Sequence, residues 1–78
     1  MPRSTKDCIA EVEYELESSD LRESYSDTEA SAQDIFKDIN VSLREAENFA
    51  RESDTQMVYS RLAEVCAMCI IIMEKCGD

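Results

Sequence analysis

The chain contains no histidine and no tryptophan, and glycine and proline occur once each among its 78 residues. Without histidine, it lacks the commonest general base and the commonest metal ligand. With Gly77 as the only glycine, no glycine-rich loop can surround a phosphate group. The cysteines also have no histidine that could activate them as nucleophiles. We therefore expect a protein that is not an enzyme and that needs no cofactor.

Basic residues are also scarce, since 8 Lys and Arg stand against 18 Asp and Glu, for a net charge of −10. Direct binding to nucleic acid needs a basic surface, so this class of ligand is disfavoured. The longest apolar run covers nine residues, from Val65 to Met73. A membrane span needs about 20, and the N-terminus lacks the apolar segment of a secretory signal. We expect a cytoplasmic protein without a membrane contact.

The four cysteines are expected to be free thiols that pack in the core as small apolar residues. Cys66 and Cys69 form a CxxC pair, and Cys76 follows on the same predicted helix. Structural zinc sites usually lie on turns that let four ligands converge, so this spacing argues against zinc. A metal or redox role and an intermolecular disulfide remain the alternatives.

Apolar periodicity predicts three helices, over about 5–18, 28–51 and 54–76, with a polar loop over about 19–27. The last helix begins at a capping-box pattern from Ser53 to Gln56 and ends at Gly77. The first helix is the ambiguous one, because apolar residues alternate with glutamates over 10–17 as in a half-buried strand. Glutamate favours helices and is depleted in strands, so we favour the helix.

The predicted fold is an all-α bundle in one domain, over 1–78. Two long helices form an antiparallel hairpin around 51–54, and the short N-terminal helix packs against them. The last helix is apolar on every side over 65–73, more than two neighbours can cover. We therefore expect a homodimer or a higher homo-oligomer, formed through Val65, Met68, Cys69, Ile71, Ile72 and Cys76.

Acidic residues are dense near the N-terminus, and on a helix Glu11 lies beside Glu15 and Glu13 beside Glu17. Carboxylates at such spacing could imitate successive phosphates and occupy a basic nucleic-acid channel. The plain alternative is a solvated face that keeps a small protein soluble. The candidate partner-binding residues are Glu11, Glu13, Glu15, Glu17, Asp20 and Glu23.

Small size, acidity, helical character and the stripe Glu11, Glu13, Glu15, Glu17 resemble phage-encoded inhibitors of bacterial defence, such as anti-CRISPR proteins and DNA mimics. The resemblance is one of physical character, without a shared motif. It implies a protein that binds and blocks a basic protein or a nucleic-acid-binding complex, in the cytoplasm of the infected host.

Residues 61–77 are similar to the last helix of all-α nucleotide pyrophosphohydrolases of the MazG type. Those enzymes hold magnesium with paired ExxE and ExxD motifs. Here Arg61 stands where the acid before Glu64 would be, and the only ExxD runs from Glu17 to Asp20. This departure argues against catalysis.

Two other functions remain open at this point. A helical oligomer could hold a nucleotide-type ligand in a pocket, with its phosphates facing the cations of the two long helices. The chain could also be a structural or adaptor subunit. The candidate ligand-binding residues are Lys37, Arg44, Arg51 and Arg61.

Overall fold

A computed structural model of the chain describes residues 3–18, 23 and 32–76. These residues form three long helices, α1 (Thr5–Ser18), α2 (Ala32–Arg51) and α3 (Thr55–Cys76), and no strand. The predicted all-α class is confirmed, and the ambiguous first segment is a helix. Of the predicted loop over 19–27, only Glu23 is described, and its backbone is helical rather than extended.

The starts of α1 and α3 are fixed by side-chain caps. The Ser4 hydroxyl accepts a hydrogen bond from the backbone N–H of Asp7 at 3.1 Å. The Asp54 carboxylate accepts one from the N–H of Met57 at 3.3 Å. Each side chain thereby satisfies a helix N–H that has no partner within the helix. The predicted cap at Ser53 is wrong by one residue, because Asp54 takes that role.

Ser53 instead belongs to the motif that terminates α2, two residues beyond Arg51. Its φ of 61° lies in the left-handed region, which is unusual for a residue other than glycine. Its N–H donates to the carbonyl of Ala50, and the N–H of Asp54 donates to the carbonyl of Phe49 at 2.9 Å. These two bonds form the Schellman motif, which closes a helix by turning the chain away from its axis. A turn of three residues, 52–54, therefore suffices to connect α2 to α3.

The core lies between α2 and α3, and α3 is the central helix of the described chain. Ile35 and Ala67 are fully buried, one on each helix. Within the described residues, α1 packs against α3, and its backbone does not come close to that of α2. Leu16 of α1 and Ala32 of α2 pack against the edge of the main cluster. This cluster consists of Ile35, Ile39, Val65, Met68, Ile71 and Ile72.

The buried face of α2 includes a serine, while two large apolar residues of the same helix remain exposed. Ile35, Ile39, Ser42 and Ala46 face the core, at alternating spacings of four and three residues. Phe36 and Leu43, which belong to the neighbouring apolar row, remain about half exposed. The buried face thus carries two small side chains, at Ser42 and Ala46, while the larger Phe36 and Leu43 lie outside it.

The residues predicted to drive self-association lie mostly inside the protomer. Val65, Met68, Ile71 and Ile72 are buried against α2, so they are not available to a second copy. Of the predicted set, only Cys69 and Cys76 are exposed. The sequence shows that α3 is apolar on every side over 65–73, but this pattern alone cannot show which side α2 covers.

Candidate functional site

The four glutamates of α1 lie on two faces of the helix rather than in one stripe. Glu11 and Glu15 are half-buried beside α3, whereas Glu13 and Glu17 are exposed. Successive odd-numbered residues of an α-helix point about 200° apart, so only residues four apart share a face. The prediction of one continuous acidic stripe is therefore corrected. Asp20 lies outside the described residues, and Glu23 is exposed.

Glu13 and Glu17 form the exposed acidic pair. No ion pair among the described residues involves either of them. The Cβ atoms of residues one helical turn apart are about 5–6 Å from each other, so such a pair of glutamates concentrates negative charge. The pair remains available to cations of another molecule.

The electrostatic environment of Glu15 differs from that of Glu13 and Glu17, because Glu15 is partly buried next to α3. Partial burial raises the pKa of its carboxyl above the usual value, and the carboxylates of Glu64 and Glu11 raise it further. Burial and like charges both disfavour the ionised form. Glu15 is therefore better suited to a role within the protein than to pairing with a partner's cation.

Arg61 connects the acids of α2 and α3. Its Nη1 donates to Oε2 of Glu64 at 3.1 Å, and its Nε lies 4.0 Å from Oε1 of Glu45. The guanidinium is only about a quarter exposed, so these two carboxylates hold its charge within the protomer. Arg61 therefore compensates acidic groups between the helices and is not free to bind a phosphate.

The other cations proposed for a nucleotide ligand do not meet Arg61. Lys37, Arg44 and Arg51 recur every seven residues on the outer side of α2, and all three are exposed. Arg51 donates to Glu47 at 3.0 Å. None of these residues lines a groove described below. The cations are thus spread over the outer surface instead of converging on one anion.

Among the described residues, at least two grooves lie between α1 and α3. The larger has a volume of about 460 Å³, and the smaller, of about 150 Å³, lies next to Tyr59 and Leu62. Cys8, Val12 and Cys66 line both grooves. The walls of the larger one are otherwise formed by Thr5, Ile9, Glu13, Cys69 and Ile70. This lining is almost entirely apolar, and it offers an anionic ligand no cation.

An exposed apolar row follows α3 beside the grooves that this helix forms with α1. Leu62 is 42% exposed and Met73 is 68% exposed, and the three cysteines of this helix are exposed as well. We call this row the α3 stripe. It consists of Leu62, Cys66, Cys69, Met73 and Cys76.

The thiols also depart from their predicted environment. All four cysteines are free, as expected, but all four are exposed instead of packed in the core. Sequence reasoning placed Cys69 and Cys76 in a self-association surface and left Leu62, Cys66 and Met73 out of it. Their shared spacing with Cys69 was the available signal, but several apolar rows on α3 have equivalent spacing.

No three metal-binding side chains of the described residues come close enough together to hold an ion. Among the described helices, α3 alone is long and apolar enough to cross a bilayer, a property that core helices of soluble proteins share. No protein family, curated protein or solved structure matches this chain. Any functional assignment must therefore come from the surfaces described above.

Proposed function

We propose that this chain is a non-enzymatic interaction protein that binds and blocks a basic macromolecular partner in the cytoplasm. The observation that carries the proposal is the exposed pair Glu13 and Glu17, which forms no ion pair within the described residues. The best specific partner is a nucleic-acid-binding complex, and the proposed activity is inhibition of the anti-CRISPR kind.

The charge distribution supports binding to a basic partner rather than to an anion. The net charge is −10, and Arg61 and Arg51 are paired with carboxylates of the same protomer. Such a surface repels phosphate and attracts lysine and arginine side chains. Complementary charge increases the association rate and makes binding sensitive to salt.

In the proposed mechanism, the outer face of α1 occupies a cationic channel that normally holds a nucleic-acid backbone. Glu13 and Glu17 would pair with two neighbouring cations of that channel. The docking of α1 on α3 fixes the orientation of the helix that presents both carboxylates. Blocking by occupation needs no chemical step and no cofactor.

Charge reversal of the exposed pair tests this proposal. The probe is a panel of guide-loaded CRISPR effector complexes, and the measurement is the anisotropy of fluorescent target DNA with increasing protein. We expect the wild type to displace DNA from at least one complex. The double variant Glu13→Lys/Glu17→Lys should then be about 100-fold weaker, because charge pairs at an interface contribute about 1.5 kcal/mol or more each.

The matched control is Glu47→Lys/Glu52→Lys, which makes the same change in net charge at exposed positions outside α1. It should inhibit nearly as well as the wild type. Equal losses in both double variants would mean that only net charge matters, and the proposed site on α1 would be wrong. Unchanged DNA binding in every complex of the panel would contradict the inhibitory function.

A further inference from the structure

We propose that the larger groove between α1 and α3 binds the apolar face of a basic amphipathic helix of the partner. Lysine or arginine side chains of the same helix pair with Glu13 and Glu17. The inference rests on the proposed function, because it concerns the same partner, and it adds how that partner is recognised. A protein that only imitated phosphates would bind through charge alone. In this protein an apolar groove lies directly beside the charge.

Glu13 belongs both to the acidic pair and to the lining of the larger groove. No ion pair among the described residues involves it, and the described residues that line the groove include no cation. Ile9 precedes Glu13 by one helical turn on the same wall and is 54% exposed. A single bound molecule can therefore cover Ile9 and place a cation next to Glu13.

The opposite wall of the groove is apolar and belongs to α3. It consists of Cys66 and Cys69, which are exposed members of the α3 stripe, and of the half-buried Ile70. Covering apolar side chains stabilises a complex through the hydrophobic effect, which added salt does not screen as it screens exposed charges. We therefore expect the affinity for the partner to have an apolar contribution besides the electrostatic one.

The dimensions and the lining of the groove favour a helix as its occupant. The wall on α1 runs from Thr5 to Glu13, which at about 1.5 Å per residue is about 12 Å, or two helical turns. Apolar side chains at positions i, i+3, i+4 and i+7 of a bound helix cover a similar length. An extended segment would turn backbone N–H and C=O groups toward walls that offer almost no polar partner, whereas a helix satisfies these groups internally.

Charge complementarity selects a basic peptide segment among the possible apolar occupants. Glu17 lies one turn beyond the groove lining, so a molecule that reaches both acids must be longer than the groove itself. This favours a peptide segment over a small molecule. A second copy, of net charge −10, or an anionic lipid surface would bring negative charge toward Glu13 and Glu17. A basic helix brings the opposite charge, which favours its association.

Two labelled synthetic peptides test the inference by fluorescence anisotropy with the reduced full chain. Both consist of leucine and lysine only and have the same composition and a length of about 18 residues. In the first, the leucines recur at i, i+3, i+4 and i+7, and in the second their order is scrambled. The wild type should bind the first peptide at least about tenfold more tightly, because only that peptide presents a continuous apolar face. Added salt should weaken both complexes and leave this preference in place. Equal affinities for the two peptides would overturn the inference.

Substitution of Ile9 locates the binding site. Ile9→Gln makes the groove wall polar without changing the net charge, and it should weaken binding of the amphipathic peptide about tenfold. The matched control Val41→Gln makes a similar change on α2, at a residue that is 58% exposed and outside the groove lining. It should bind like the wild type. Far-UV circular dichroism checks that both variants fold, which is expected because both side chains are exposed. Equal losses in the two variants would show that the groove is not the site.

Other occupants of the groove give different results. A dimer in light scattering that Ile9→Gln dissociates would assign the groove to a second copy and overturn the inference. Binding to phosphatidylcholine vesicles that the same variant loses would assign it to a lipid surface, with the same consequence. A wild type that displaces DNA but does not distinguish the two peptides would disprove the helix-binding groove alone. One that prefers the amphipathic peptide but displaces no DNA would disprove the inhibitory function alone.

Discussion

The carboxylates of this acidic protein differ in their burial, and therefore in how their charge affects stability. Glu13 and Glu15 are two residues apart on one helix, yet one is exposed and the other is half-buried next to Glu64. The pKa of Glu15 is raised by burial first and by neighbouring carboxylates second. Ionisation of Glu15 therefore opposes folding.

The sign of the pH dependence follows from this raised pKa. A carboxyl that binds its proton more tightly in the folded state stabilises that state below its unfolded pKa. The stabilisation is lost as the pH rises through the folded pKa, which burial and the neighbouring carboxylates raise above the usual glutamate value. Glu15→Gln should thus raise the melting temperature at pH 7, by about 1–3 °C for a partly solvated group.

At pH 4 the same substitution should have almost no effect, because the wild-type carboxyl is then largely protonated. Thermal unfolding followed by circular dichroism at both pH values measures the difference. Glu13→Gln is the control, since it removes the same charge from an exposed position and should change neither melting temperature appreciably. A larger gain at pH 4 than at pH 7 would contradict the assigned origin of the shift.

At the scale of single elements, two local roles compete for Ser53 in the turn between α2 and α3. This residue could cap the start of α3 or take the left-handed position that terminates α2. Ser53 and Asp54 can both cap a helix. The Schellman motif that ends α2 requires a left-handed residue, and Ser53 takes this conformation at φ 61°. A residue in that conformation cannot also cap α3, so Asp54 does. A sequence pattern that considers only the start of α3 misses this constraint.

Ser53→Gly should therefore stabilise the protein, by about 0.5–1 kcal/mol. Glycine adopts the left-handed region without a steric cost, and this gain exceeds the entropy that glycine adds to the unfolded chain. Urea unfolding measures the difference in free energy. Ser53→Val should destabilise, because a β-branched side chain is least tolerant of a positive φ. Stabilisation by valine would contradict the role assigned to this backbone position.

Helix positions were predictable from the sequence, but their contacts were not. Caps such as Ser4 and the apolar repeat of α3 are local signals, and they place α1 and α3 within a residue or so of their observed bounds. Which row of α3 is buried depends on where α2 and α1 lie. When a helix is apolar on every side, periodicity leaves several rows equivalent, and only packing decides that Met68 is covered while Cys69 is not.

At the scale of the whole molecule, α1 is the least firmly held of the three helices. It packs on α3 alone within the described chain. Arg3 connects the N-terminal end of α1 to α3. Its guanidinium lies 3.7 Å from the centre of the Tyr59 ring and donates a hydrogen bond to the Gln56 side chain at 3.2 Å. The Tyr59 hydroxyl also donates to the carbonyl of Asp7 at 3.3 Å. We therefore expect local opening of α1, from its docked position on α3, to need less free energy than unfolding of the α2–α3 core.

Hydrogen exchange of the full chain should reveal this hierarchy, with amides of α1 exchanging faster than those in the middle of α2 and α3. Arg3→Ala removes the cation–π contact, which is worth about 0.5–1 kcal/mol at an exposed site, so exchange in α1 should become about two- to fivefold faster. Rates in the middle of α2 should not change. Lys6→Ala is the control, because it removes the same charge from an exposed residue of α1. If α1 is protected as strongly as the middle of α3, the molecule opens as one unit, and α1 is presented to a partner only as part of a rigid body.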